Sequence, residues 1–134
     1  MSKFEFLQPK DWRPPRGYAN GVLAGGRLVF IAGQIGWNEQ AQLVGSDFVA
    51  QVERALMNVV AILAEADGKP EHVTRLTWFV TDKAEYVQRQ KEIGDAYRRV
   101  MGRHFPAMTL VAVKDLLEEG ALVEIEGTAV LPST

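Results

Sequence analysis

The chain contains no cysteine. That excludes disulfides, thiolate nucleophiles and Cys-ligated metal sites, and it fits a reducing compartment. Histidine is scarce: His72 and His104 lie far apart, with no H-x-x-x-H spacing, so a histidine-built metal site is not expected within one chain. Charge of one sign is also lacking. The formal net charge is -2, which offers no basic stripe for nucleic acid. No apolar run approaches a membrane span, and the opening "MSKFEFLQPKDWRPPRGY" has no continuous apolar h-region, so a cytoplasmic protein is the expectation. The P-loop, the G-x-S-x-G elbow, the dinucleotide G-x-G-x-x-G and H-E-x-x-H are all missing.

What remains is ordinary globular composition: 134 residues, 47% hydrophobic and 24% charged, suited to one domain over 1–134. Pro14, Pro15 and Gly17 make 1–16 an irregular lead-in. "YANGVLAGGRLVFIAG" reads as two strands joined in a hairpin at Gly25-Gly26, and 34–45 as a further short hairpin or loop turning near Asn38. Val49, Val52, Leu56, Val59, Val60 and Leu63 recur at helical spacing, predicting a helix over about 47–66 that starts at Ser46 or Asp47 and stops by Gly68. A second helix is predicted over 82–101, opened by Asp82 and carrying Gly94 at an unfavourable interior position. Strands are expected at 74–80, 107–113 and 121–130.

Right-handed crossovers would lay both helices on one face of a mixed sheet, an α+β arrangement. The strand 107–113 is apolar on both faces, with Met108, Leu110 and Ala112 on one and Ala107, Val111 and Val113 on the other. Two helices cover one face only. The other requires a cover, most simply another copy of the chain. Within "ALVEIEGTAV" (121–130), alternation puts Glu124, Glu126 and Thr128 on one face and Val123, Ile125 and Ala129 on the other. A carboxylate face on a half-buried strand either meets water or lines a cleft.

The stretches "GYANGV", "VFIAGQI", "FPAMTLVAV" and "ALVEIEGTAV", in that order and separated by two helices, resemble the Rid family, a YjgF-like group named for reactive-intermediate deamination and also described as L-PSP endoribonuclease or translation inhibitor. The resemblance runs from about Gly17 to Val130. It implies a chorismate-mutase-like α+β fold, a homotrimer, and ligand clefts between neighbouring subunits. It also implies hydrolysis of 2-imino or 2-enamino acids to 2-oxo acids and ammonia, with no metal or organic cofactor.

Position by position, the resemblance implies Glu124 as the water-orienting glutamate and Tyr18 as the family tyrosine, together the expected catalytic pair. The residue before "GQI" is Ala32, where the family has serine or threonine; the helix asparagine falls at Gly94, the arginine of "F-P-A-R" at Met108 and the cysteine two residues later at Leu110. Substrate binding is expected from Arg16, Ala32, Gly33, Met108 and Thr109. Met108 cannot clamp a carboxylate. Arg16, beside Tyr18, is the candidate replacement, set against a solvated loop arginine. Glu126 is read as structural. Two functions stay open: a hydrolase of imines, enamines or related small molecules other than standard 2-imino acids, and a non-catalytic trimer binding a small metabolite. An endoribonuclease-like activity is a third and weaker alternative, since no histidine pair or basic stripe serves it.

Overall fold

The computed structural model describes residues 4–133. In chain order the elements are β1 (Glu5–Leu7), β2 (Gly21–Leu23), β3 (Arg27–Gln34), α1 (Phe48–Ala64), a 3-10 turn at Pro70–His72, β4 (Val73–Val80), α2 (Lys83–Gln88), α3 (Gln90–Met101), β5 (Ala107–Ala112) and β6 (Val123–Leu131). The main sheet has the order β3-β6-β4-β5. β6 runs antiparallel to both β3 and β4, while β4 and β5 are parallel and joined through α2 and α3. The fold is therefore α+β with a mixed sheet, as expected.

Helix α1 forms where the sequence places its apolar stripe. The Asp47 carboxylate accepts the Ala50 backbone N–H at 2.9 Å, satisfying one of the donors that a helix start leaves unpaired. Val52, Ala55, Leu56, Val59 and Leu63 are wholly buried against the sheet. Their sheet partners are Leu76 and Val80 of β4 and Val123 and Ile125 of β6, also wholly buried. Helix α3 adds Ile93, Ala96, Tyr97 and Met101 to the same core. Both α1 and α3 thus lie on one face.

Three expectations are corrected. The lead-in is not wholly irregular, because residues 5–7 pair with 21–23 in a small antiparallel sheet; residues 1–3 lie outside the described residues. The hairpin at Gly25-Gly26 does not form: β2 pairs β1, and β3 pairs β6. Gly26, at φ +147°, instead lets the chain cross to the main sheet so closely over β6 that a Cβ there would overlap the Leu131 carbonyl. The second helix is broken at Arg89 (φ -109°, ψ 24°), whose guanidinium reaches Glu85, Glu92 and the capping Asp47. The break at a residue that also pairs with the start of α1 gives two helices where periodicity predicts one.

Gln51 ties the loops to this frame. Its side chain has no exposure, donates to the carbonyls of Gly45 (2.8 Å) and Gly120 (3.1 Å), and accepts from Leu122 N–H (2.8 Å). The segment entering β6 is thereby pinned to the start of α1, which sets where Glu124 begins its strand.

Candidate functional site

The register divides the expected site residues between the two faces of the main sheet. On the open face, Glu124 stands opposite Phe79, and Phe79 opposite Val111; Glu126 stands opposite Thr77, and Thr77 opposite Thr109. On the helix face, Ile125 is opposite Trp78 and Trp78 opposite Leu110, while Leu76 is opposite Met108. Glu124 and Thr109 therefore face away from the helices, and Met108 faces towards them.

Glu124 is positioned by an irregularity in β3. Between Ile31, opposite Gly127, and Gln34, opposite Ile125, β3 has one residue more than β6. This bulge at Ala32-Gly33 re-aims the backbone over the neighbouring strand, a device common beside functional sites. A Cβ on Gly33 would lie 2.8 Å from Cδ of Glu124. Only glycine leaves the carboxylate its place. Among the described residues Glu124 has neither a hydrogen-bond nor an ion-pair partner. It is half-buried, held by packing, with its oxygens uncommitted. Ala32 lies a short way along the same face, in a groove of about 400 Å³ with Phe30, Arg75, Thr77, Glu126 and Thr128.

Arg16, Tyr18 and Met108 meet on the other side, at a cavity of about 490 Å³ between α3, β4 and β5. The loop carrying Arg16 and Tyr18 is docked by the Ala19 N–H, which donates to the Pro106 carbonyl at 2.9 Å and places Ala19 alongside Ala107 at the outer edge of β5. Gly17, at φ +76°, makes the preceding bend. Gly94 and Leu110, at the family's asparagine and cysteine positions, line the same cavity. Its walls are aromatic: Tyr97 stacks on Phe105 with centroids 5.3 Å apart and on Trp78 at 6.5 Å, and Tyr86 meets Trp78 edge-on. Burial pushes the phenols of both Tyr86 and Tyr97 up, so both remain protonated donors. The Tyr97 hydroxyl donates to the His104 carbonyl at 2.6 Å.

Within one chain, then, Glu124, Ala32, Gly33 and Thr109 share the open face, and Arg16, Tyr18 and Met108 gather on the helix face. The two groups can meet only across a boundary between copies. Two contributors had escaped the sequence reading. Gln51 lies in the apolar stripe of α1, where its amide gives no signal of its three bonds. Trp78 is an alternation-consistent core residue whose place at a cavity wall depends on the β4–β5 register.

Comparison with known proteins agrees with this architecture. The family profile described as Endoribonuclease L-PSP matches residues 10–131. A RutC family protein of Aquifex aeolicus is 36% identical over 126 residues, covering 94% of this chain and 98% of that one. The RutC family protein UK114 of Drosophila melanogaster is 31% identical over 122 residues, covering 90% and 84% respectively. Among solved structures, YyfB of Yersinia pestis, described as a member of the conserved Rid protein family, superposes with a TM-score of 0.85 at 30% identity, covering 96% of this chain and 98% of that one. With its mixed sheet, its carboxylate strand and a match over nearly its whole length, the chain belongs to the Rid family, also known as YjgF/UK114 or L-PSP.

Proposed function

We propose that this protein is a hydrolase of carbon–nitrogen double bonds, acting on an imine, an enamine or a related small molecule in a cleft between copies of a cytoplasmic homotrimer. The observation that carries the reading is the uncommitted Glu124 carboxylate seated over Gly33 at the β3 bulge. Support for an assembly through the open face comes from Leu28 and Phe30, 58% and 74% exposed on β3, with Val111 exposed on the same face at the opposite edge of the sheet, apolar surface that a lone chain would leave in water. Tyr18, 42% exposed at the edge of β5, joins the cleft from a neighbouring copy.

In the reaction, Glu124 accepts a proton from a bound water as its oxygen bonds to the imine carbon. The π pair moves to nitrogen, which takes up a proton. Glu124 supplies that proton, then takes the hydroxyl proton of the resulting carbinolamine and passes it to the amine nitrogen as the C–N bond breaks, so that ammonia leaves behind a carbonyl. An enamine enters after protonation at carbon. Because Met108 offers no charge, the substrate is one that does not depend on a carboxylate clamp at that position, unless Arg16 supplies it. The absence of a charged or amide side chain at both Gly94 and Met108 favours a second reading, a trimer that binds a metabolite without turning it over.

The test uses 2-iminopropionate and its uncharged amide, each generated in situ, with release of the oxo product followed alongside light scattering. Expected are a trimer, faster turnover of the amide than of the acid, and a loss of about 10²–10⁴-fold in Glu124→Gln without loss of assembly. Met108→Arg should recover activity on the acid if the rest of the site is in place. An intact trimer inert toward both compounds would leave the binding reading, and a stable monomer would remove the cleft.

A further inference from the structure

The open face of the main sheet carries few charges. Among the described residues of its four strands they are Arg75, Glu124 and Glu126, so Arg75 is the one cation there. Its direction is set by an irregularity in β4. Between Val73, opposite Ala129, and Arg75, opposite Thr128, β4 has one residue more than β6, and the Thr74 hydroxyl donates to the Thr128 carbonyl at 3.0 Å. Without that extra residue, alternation from Val73 would turn Arg75 into the core and Leu76 out of it. Glu126 is opposite Thr77, so Arg75 and Glu126 are diagonal neighbours, a spacing that long side chains can bridge. Yet both are exposed, and neither side chain has a hydrogen-bond or ion-pair partner among the described residues. They stand apart in a groove of about 400 Å³, with Thr77 and Thr128 at its other corners. Covering this face with another copy would remove both charges from water. A buried charge without a partner is costly, and a paired one is tolerated.

We propose that Arg75 of one copy pairs with Glu126 of the next, so that each boundary carries one guanidinium–carboxylate contact and the open face selects a second copy of this chain as its partner. The inference rests on the reading of an assembly through that face, and it names the charges that specify the fit. The pairing also bears on the carboxylate two residues along β6. Glu124 is opposite Phe79, a further step from Arg75. With the one cation of this face held by Glu126, Glu124 keeps its oxygens free.

The experiment is sedimentation of the full chain and its charge variants over a range of protein concentration, with circular dichroism to check folding. Arg75→Glu and Glu126→Arg each set like charges against one another at every boundary, and each should weaken assembly about 30-fold or more. High salt should narrow the gap from wild type. The double variant, with the charges exchanged, should recover assembly. Mixing the two single variants should also recover it in part, because a mixed trimer keeps only one like-charged boundary. Pairing within a chain cannot produce that gain. Should a reversal variant fail to fold, Arg75→Met and Glu126→Gln repeat the test, each weakening assembly about tenfold. Glu124→Gln should assemble as wild type does. Undiminished assembly in the charge variants, or no recovery in either the double variant or the mixture, would overturn the pairing while leaving the shared cleft in place. A monomeric wild type would overturn both.

Discussion

The two faces of the main sheet are made by the same strands, yet they have opposite characters. Towards the helices, Leu76, Val80, Val123 and Ile125 are sealed from water. Away from them, the residues between those positions include Thr77, Glu124, Glu126 and, across on β3, the exposed Phe30. Strand alternation alone creates the contrast, so each face can be changed with little effect on the other. Where alternation is interrupted, at Ala32-Gly33 in β3 and between Val73 and Arg75 in β4, the sheet bends its own pattern. The first interruption falls beside the uncommitted carboxylate. The second is closed by the Thr74 hydroxyl donating to the Thr128 carbonyl at 3.0 Å.

Substitutions on opposite faces should therefore fail in different ways. Leu56→Ala empties a wholly buried position and should cost about 2–5 kcal/mol in chemical denaturation. Phe30→Ser on the open face should change the stability of the isolated chain by no more than about 0.5 kcal/mol while weakening self-association in sedimentation. Equal loss of stability in both variants would erase the distinction between the faces.

Two glycines sharpen the comparison at smaller scale. A Cβ at Gly36 meets the Gln51 backbone, 2.7 Å from its Cα, which cannot step aside, so Gly36→Ala should cost about 1–3 kcal/mol. A Cβ at Gly33 meets only the flexible end of Glu124. Gly33→Ala should therefore melt within a few degrees of the parent while displacing the carboxylate, with any hydrolysis falling as in Glu124→Gln.

A pH-dependent effect belongs to the helix start. The Ala50 N–H, and after it the Arg89 guanidinium, hold the Asp47 carboxyl below its usual value. A group whose pKa is lower folded than unfolded contributes stability above the unfolded value, near 3.9, and loses it as pH falls through the folded one. Asp47→Ala should cost about 1 kcal/mol at pH 7, with the ion-pair share reduced by solvent. The gap from wild type should close in denaturation series taken below about pH 4.

Much of this architecture can be read from local pattern. The stripe of α1, the caps at Asp47 and Asp82, and the split of Glu124 from Val123 and Ile125 all follow from spacing and residue type, and the structure has each of them. The misreadings are long-range. Gly25-Gly26 has the chemistry of a hairpin turn, but β3 finds a better partner about a hundred residues away. The break at Arg89 comes where the residue pairs with Asp47, the cap of another helix, a contact no local pattern announces. The separation of Met108 from Glu124 across the sheet is a matter of register between β4, β5 and β6, and no single strand encodes it. The family match over 10–131 was legible from four short stretches, one at the turn into β2 and the others along β3, β5 and β6.

The strand order has a consequence for how the protein is made. β6 follows every other described strand in sequence, yet it lies inside the sheet between β3 and β4. As the chain emerges from the ribosome, β3 has no main-sheet neighbour until residues 123–131 arrive, and α1 must wait beside an incomplete floor. Such nonlocal closure is slow and leaves apolar edges uncovered in the meantime. Ribosomal stalling ahead of residue 123 should therefore yield nascent chains that bind holdase chaperones, and release of β6 should end that dependence in a single step.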